Sequence, residues 1–234
     1  MRFDGMLVDL DDTVLAFDSV SEPVWVEVCD RHAPVLGCAA GELHAAIRNV
    51  ARRFWSDPAR HQRGRMDLLL ARREIVGEAL RQLRVDEAVA QHMAEEYSVA
   101  RDQAIHPLPG AIETLARWRQ MGLRLALVTN GAAAGQRRKI ERFGLDHFFD
   151  AVFVEGECGF GKPDRRIFEL ALRRLAIPVA RTCMVGDSLE FDIVGAQRVG
   201  IHAVWVDASG RGLPREGLVR PDAVVRSIAE TGVA

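Results

Sequence analysis

The sequence predicts an α/β protein, a parallel sheet with helices on both faces, interrupted after its first strand by a helical insertion. From about residue 108 onward, short apolar runs alternate with amphipathic helical patterns, as in consecutive βαβ units. One further apolar run, Met6-Leu7-Val8, stands alone near the start and ends in acids. Between the two, residues from about 16 to 105 carry no convincing strand pattern. The expected division is therefore 1–15 with 106–234 as the sheet-bearing core, and 16–105 as a helical domain.

The first strand leads into Asp9-Leu10-Asp11-Asp12-Thr13. Alternation within a strand sends Asp9 and Asp11 the same way. Two carboxylates pointing together repel unless a cation lies between them or one keeps its proton. Taken alone, Asp-Asp-Thr is equally a turn or a helix N-cap. In the insertion, Val24 to Cys29, Glu42 to Trp55, Asp67 to Leu83 and Glu87 to Ala104 are expected as four helices, with Asp57-Pro58 and Gly64 as punctuation.

Beyond the insertion, Pro109-Gly110 precedes a helix over 111–121 that sets Ile112, Leu115 and Trp118 on one face. A strand over 123–128 ends in Thr129-Asn130-Gly131, and a helix over 133–143 stops before Gly144. A strand over 151–154 follows, then a helix over 164–175 with Ile167, Leu170 and Ala171 as its apolar stripe. Met184-Val185 runs into Gly186-Asp187-Ser188. A helix over 189–199 stops at Gly200, and 203–206 and 223–225 are the last strands. The stretch from Ala208 to Pro221, with Gly210, Gly212, Pro214 and Gly217, is loop-like.

With 234 residues, 48% hydrophobic and 27% charged, the chain can bury a substantial core. A formal net charge of -2 leaves no bulk basic field for nucleic acid. No apolar stretch reaches membrane-spanning length, and the start has no signal-peptide pattern. Cys29, Cys38, Cys158 and Cys183 form no CxxC pair and no metal-finger spacing, so free thiols in a reducing cytoplasm are expected. There is no internal repeat and no low-complexity segment.

Polar signals follow the strand ends at four places: Asp9 to Thr13, Thr129-Asn130-Gly131, Gly161-Lys162-Pro163-Asp164 and Gly186-Asp187-Ser188 with Asp192 beyond. In a parallel sheet such segments converge beyond the carboxyl edge. Asp9, Asp11 and Asp187 supply hard oxygen ligands suited to Mg²⁺. Thr129, Asn130 and nearby main chain supply donors for an anion. Lys162 supplies a compact positive charge. It is one of only two lysines among 31 basic residues, and it sits at a glycine-proline corner. The other, Lys139 in Gln136-Arg137-Arg138-Lys139, is expected on an exposed helix face. Singly, each segment also fits a plain turn or a first-turn helix acid; together they describe a phosphoryl-transfer site.

In these residues the chain resembles the magnesium-dependent phosphatases of the haloacid dehalogenase superfamily, which carry a helical cap after the first strand of a Rossmann-like core. Asp9-Leu10-Asp11-Asp12-Thr13 matches the first motif, DxDx[TV]. Thr129 matches the Thr or Ser closing a strand, Lys162-Pro163 the third motif, and Gly186 to Asp192 the GDxxxxD-like acid pair. The match covers nearly the whole chain. Where members often place a second proline, Arg165 stands, with little catalytic consequence expected. The stretch Gly186 to Val206 looks like the branch of acylneuraminate-9-phosphatases and pyrimidine 5′-nucleotidases.

The resemblance implies that Asp9 is the nucleophile forming an aspartyl-phosphate and that Asp11 is the general acid and base. It implies Mg²⁺ held by Asp9, the Asp11 main-chain carbonyl and Asp187, with Asp192 as a ligand or orienting group. Thr129, Asn130 and Lys162 would hold phosphoryl oxygens. The expected substrate is a small phosphate monoester, such as a sugar phosphate or nucleotide 5′-monophosphate, handled by a monomer or homodimer with no nucleic-acid or membrane partner. Three alternatives share the scaffold. A haloacid dehalogenase needs no magnesium and lacks the second aspartate of the first motif. A sugar phosphomutase shares every core motif. A non-catalytic phosphate-binding module would lack the nucleophile or a metal acid. Arg48, Arg52, Arg53, Arg63, Arg65 and Arg72 are candidates for a substrate carboxylate or second phosphate, or are simply exposed helix arginines. Trp25, Phe54 and Trp55 could line a pocket or pack the insertion.

Overall fold

The computed structural model describes residues 3–214 and 219–232; Gly217 of the expected loop lies outside them. The chain divides into two compact units, residues 1–16 with 106–234, and residues 17–105. Along the chain, β1 (Gly5–Val8) is buried at every position and is followed by the two-residue β2 (Leu15–Ala16).

The helical unit then holds α1 (Ser21–Leu36), α2 (Ala40–Ser56), α3 (Pro58–Met66), α4 (Leu68–Leu83), a 3₁₀ turn (Glu87–Val89) and α5 (Ala90–Ala104). Five helices stand where the sequence predicted four. Asp57-Pro58 is not a break alone but a helix start: the Asp57 carboxylate accepts from Arg60 N at 2.8 Å, and Pro58 occupies the first turn, where its missing N–H is harmless. Asp67 caps α4 the same way through Leu70 N at 3.0 Å. Asp86 caps the 3₁₀ turn, so the predicted helix over 87–104 is two pieces. On α2, Leu43, Ile47, Val50 and Phe54 follow the helical period and are all buried. They join Val28, Ile75, Leu80 and Met93 in a core that belongs to this unit.

The second part of the sheet-bearing unit runs β3 (His106–Pro107), α6 (Ala111–Gln120), β4 (Arg124–Thr129), α7 (Ala133–Arg142), a 3₁₀ turn (Asp146–Phe148), β5 (Ala151–Val154), α8 (Glu155–Cys158), α9 (Arg165–Leu175), β6 (Thr182–Gly186), α10 (Gly195–Gln197), β7 (His202–Val206) and β8 (Ala223–Val225). Short β2 and β3 pair antiparallel, Leu15 with Pro107 and Ala16 with His106. The predicted α-helix over 189–199 is replaced by a π-helical turn, Leu189–Val194, running into the short α10.

The six long strands form one parallel sheet in the order β5-β4-β1-β6-β7-β8. Leu7, Ala126, Val128 and Met184 pack against Ile167, Phe168 and Ala171 of α9. The alternate residues Met6, Val8, Leu125 and Leu127 turn the other way and are also fully buried, so both faces are covered. That is why β1 is apolar throughout rather than alternating.

Register places the site. Val8 lies opposite Leu127 on one side and Val185 on the other. The carboxyl ends of β1, β4 and β6 therefore lie within two residues of one another in register. The chain steps outward from β1 to β4 and β5, then returns to β6 across β1, so the order reverses at the strand that delivers Asp9.

All four cysteines are free. Burial, with Asp30 and Cys38 adding repulsion, pushes the Cys29 thiol up to about 12, and burial with Asp222 does the same at Cys183. The unfolded chain ionises these thiols near pH 9 and the folded chain does not, so their neutral burial contributes fully below pH 9 and is lost as pH rises toward 12. Ellman's reagent at pH 8 is expected to label the half-buried Cys38 and Cys158 and to reach Cys29 and Cys183 only after denaturant is added; fast labelling of all four in the folded protein would contradict this packing.

Candidate active site

Asp9 follows the last residue of β1 and is buried. Its N–H donates to Val185 O at 3.0 Å, extending the β1–β6 pairing by one residue. One carboxylate oxygen accepts from Lys162 Nζ at 2.5 Å, and the other accepts from Thr13 Oγ1 at 3.1 Å. The Lys162 side chain is only 2% exposed and reaches Asp192 Oδ1 at 2.6 Å. Burial pushes Asp9 up to about 7, against the pull of Lys162 and with repulsion from Asp192 and Asp11. Burial opposes the Lys162 charge, but Asp192 and Asp9 outweigh it and hold the ammonium above its ordinary range. Asp187 is also raised well above the carboxylate range, by burial first and then by Asp9, Asp192 and Asp12.

Asp192 gets here through an unusual local backbone. In the π-helical turn, both Asp192 N and Ile193 N donate to Ser188 O, at 3.0 and 3.2 Å. The Asp192 carboxylate accepts from Ser188 N at 2.9 Å, and Ser188 Oγ accepts from Phe191 N at 3.1 Å. A Cβ at Gly186 would run into the Asp192 carboxyl, so only glycine lets the acid lie against the end of β6. Trp205 Nε1 donates to Asp187 O at 2.7 Å and fixes that turn.

Asp11 faces a different partner. Both of its oxygens lie against Lys139 Nζ, at 2.5 and 2.6 Å, and Gln136 Nε2 donates to Oδ2 at 3.0 Å. Strand alternation does not govern this pair, because β1 ends at Val8 and Asp12 takes a left-handed conformation, φ 59°. Lys139 is likewise not on an exposed face: its side chain is 12% exposed. Its rarity was the available signal. Gln136, one helical turn before it on α7, shares its face. Gln136 also donates to Asn130 O at 2.9 Å and to Thr129 Oγ1, which ties α7 to the end of β4.

Asn130 and Lys162 hold each other by main chain and side chain. Asn130 Nδ2 donates to Lys162 O at 2.7 Å, and Lys162 N donates to Asn130 Oδ1 at 2.8 Å. Both ends of the amide are thus engaged in placing the Lys162 loop. Buried Glu155, just after β5, accepts from Gly131 N at 2.9 Å and steadies the Thr129-Asn130-Gly131 turn. Glu155 carried no sequence signal, since an acid following a short strand is common.

The structure therefore gathers Asp9, Thr129, Asn130, Lys162, Asp187 and Asp192 at one sheet edge, with Asp11 beside them on Lys139. Asp9, Asp187 and Asp192 each offer an oxygen, all within 4.8 Å of one another. Three carboxylates against one ammonium leave two excess negative charges when all are ionised, and burial first, then this mutual repulsion, makes Asp9 and Asp187 hold protons more tightly than usual. An all-oxygen set with surplus negative charge, Asp9 and Asp192 buried and Asp187 half-buried, fits a hard divalent cation such as Mg²⁺.

Comparison with known proteins shows what the chain is similar to. A family model described as haloacid dehalogenase-like hydrolase matches residues 3–200. A phosphoserine phosphatase of Thermus thermophilus is 35% identical over 249 aligned positions, spanning 98% of each chain. A glyceraldehyde 3-phosphate phosphatase of Methanopyrus kandleri is 32% identical over 210 positions, covering 86% of this chain and 83% of its own. Among solved structures, the HAD-hydrolase YfnB of Bacillus subtilis bound to magnesium shares the fold with a TM-score of 0.76 at 23% identity, covering 98% of this chain and 97% of its own.

Lys162→Met leaves the buried acids without their counter-charge and is expected to lower unfolding free energy in metal-free buffer by about 3–5 kcal/mol. Urea denaturation measures it, and adding Asp192→Asn should recover part of the loss. A loss under about 1 kcal/mol would show that these acids do not lean on the lysine.

Proposed function

The chain belongs to the haloacid dehalogenase-like hydrolase family and is a phosphatase, and from that premise we propose that it hydrolyses small-molecule phosphate monoesters through an aspartyl-phosphate on Asp9, with Mg²⁺ as cofactor. The observation that carries this reading is the Asp9 carboxylate, buried, gripped by Lys162 and surrounded by Asp187 and Asp192. The presence of Asp11 favours attack on phosphorus over attack on a halogenated carbon.

Asp9 Oδ attacks phosphorus while the ester P–O bond breaks. Asp11 gives its proton to the departing alkoxide, then takes one from the water that attacks the aspartyl-phosphate; phosphate leaves and Asp9 is restored. Asp11, held as a carboxylate by Lys139 and Gln136, must leave them and take up a proton before it meets the leaving oxygen. Lys162 and Thr129 hold the phosphoryl oxygens. Asn130 contributes its main-chain N–H, because its side chain is committed to the Lys162 loop. Asp9 and Asp187, with the Asp11 carbonyl, would hold the metal. Asp192, which meets Lys162 at 2.6 Å and accepts from Ser188 N, would join them as a ligand or orient the set. Bound Mg²⁺ would neutralise the acids and polarise the phosphoryl group. The helical unit is read as the cap.

The substrate class follows the relatives: phosphoserine, glyceraldehyde 3-phosphate and other small monoesters. A panel of these, with nucleotide 5′-monophosphates included, is to be assayed with Mg²⁺ and with EDTA. Turnover is expected with Mg²⁺ and not with EDTA. Asp9→Asn is expected to abolish turnover while leaving the thermal melt in place, and normal hydrolysis by that variant would overturn the assignment of the nucleophile. Asp11→Asn is expected to lower kcat by about 10²–10⁴-fold, as loss of a general acid does. An unchanged kcat would remove Asp11 from the chemistry.

A further inference from the structure

Helices α1 and α5 of the helical unit bring together two histidines and a glutamate that have no role in the phosphatase reading. His92 and Glu96 stand four residues apart on α5, so one helical turn makes them neighbours. His32 comes from α1, 64 residues before Glu96. Its Nε2 lies 2.6 Å from Glu96 Oε2. The His32 and His92 rings meet edge to face, centroids 5.5 Å apart and 67° from parallel. Each of the three side chains offers one ligand atom, and these atoms all lie within 4.8 Å of one another. His32 and Glu96 are half-buried, and His92 is exposed.

The Glu96 carboxylate is divided between two tasks. Arg31 Nη1 holds Oε1 at 2.7 Å, which leaves Oε2 turned to the imidazole of His32. Outer contacts of this kind orient a ligand before an ion arrives. The Arg31 side chain is 55% exposed, so water screens its repulsion toward a cation. A simple histidine–carboxylate contact needs no second imidazole. His44 with Glu22 at 3.3 Å and His202 with Asp222 at 3.8 Å are contacts of that simple kind. His92 is the addition that turns a pair into a ligand set.

Donor chemistry separates this set from the one at the sheet edge. Three carboxylates suit a hard ion such as Mg²⁺, whereas two imidazoles and one carboxylate suit a borderline ion such as Zn²⁺. Zn²⁺ holds such ligands at about 2.0–2.1 Å, which spaces them about 3.4 Å apart in a tetrahedron. The exposed His92 side chain has the rotamer freedom to close the difference.

We propose that His32, His92 and Glu96 bind a divalent transition ion of the Zn²⁺ type, with water in the fourth position on the exposed side. The ion clips α1 to α5 and, binding only the folded chain, stabilises it. The site shares no residue with Asp9, Asp187 and Asp192 and does not depend on the reaction proposed for them.

Calorimetric titration of the full chain with Zn²⁺ tests it, carried out in excess Mg²⁺ so that hard oxygen ligands are already occupied. Zn²⁺ is expected to bind under these conditions and to raise the melting temperature. His92→Ala, an exposed position where folding is not at stake, is expected to weaken Zn²⁺ by about tenfold or more and to abolish the thermal shift; His32→Ala and Glu96→Gln should do the same. Half-buried Cys38 and Cys158 are the competing ligands, and Cys38→Ser and Cys158→Ser are expected to leave the affinity unchanged. Co²⁺ used in place of Zn²⁺ should give the visible bands of a tetrahedral site without a thiolate charge-transfer band. No Zn²⁺ binding in excess Mg²⁺, unchanged affinity in His92→Ala, or loss of binding in a cysteine variant would overturn the proposal.

Discussion

One buried ammonium organises the sheet edge. Lys162 lies between Asp9 and Asp192, with Asp187 close by, and its charge is what allows acids from β1 and from the turn after β6 to approach in a desolvated space. Much of the surrounding structure holds that nitrogen in place. Asn130 clamps the Lys162 main chain from β4, Ser188 and the π-helical turn aim Asp192, and the missing Cβ of Gly186 makes room. Even so, burial first and the acids' mutual repulsion second raise Asp9 and Asp187 above the usual carboxylate range. The residual negative charge is an electrostatic demand that a cation or a phosphoryl-binding event would meet.

Much of this was legible in the sequence because the sheet edge concentrates rare signals. A strand ending in Asp9, a lone Thr129 closing another, and a lysine at a glycine-proline corner in an arginine-rich chain each departed from background. The strand runs themselves were plain, since a buried parallel strand is apolar on both faces. What stayed hidden was set by geometry between elements. The contact of Lys139 with Asp11 depends on which face α7 turns inward, and the run Gln136-Arg137-Arg138-Lys139 has polar residues on every face. The π-helical turn leaves no composition mark, because Leu189 to Val194 reads as ordinary helix. Helix α3 was masked because its residues are polar and its core contribution is slight, so only its cap at Asp57 could have announced it.

The two units illustrate different uses of arginine. On the outer helices it forms solvated pairs that contribute little. Inside, Arg72 and Arg101 lie over aromatic rings, where a weakly hydrated planar cation is tolerated better than an ammonium. Lysine, by contrast, is reserved in this chain for two contacts with first-motif aspartates, Lys162 with Asp9 and Lys139 with Asp11.

The short ribbon of β2 and β3 has an architectural effect out of proportion to its length. Leu15 meets Pro107 and Ala16 meets His106, so the chain leaves for residues 17–105 and comes back at nearly the same point. An excursion whose two ends are already stapled together exerts no tension on the sheet, whatever its length or content. Evolution or an engineer can thus exchange the whole insert for another as a cassette, leaving the strand order and the carboxyl edge untouched.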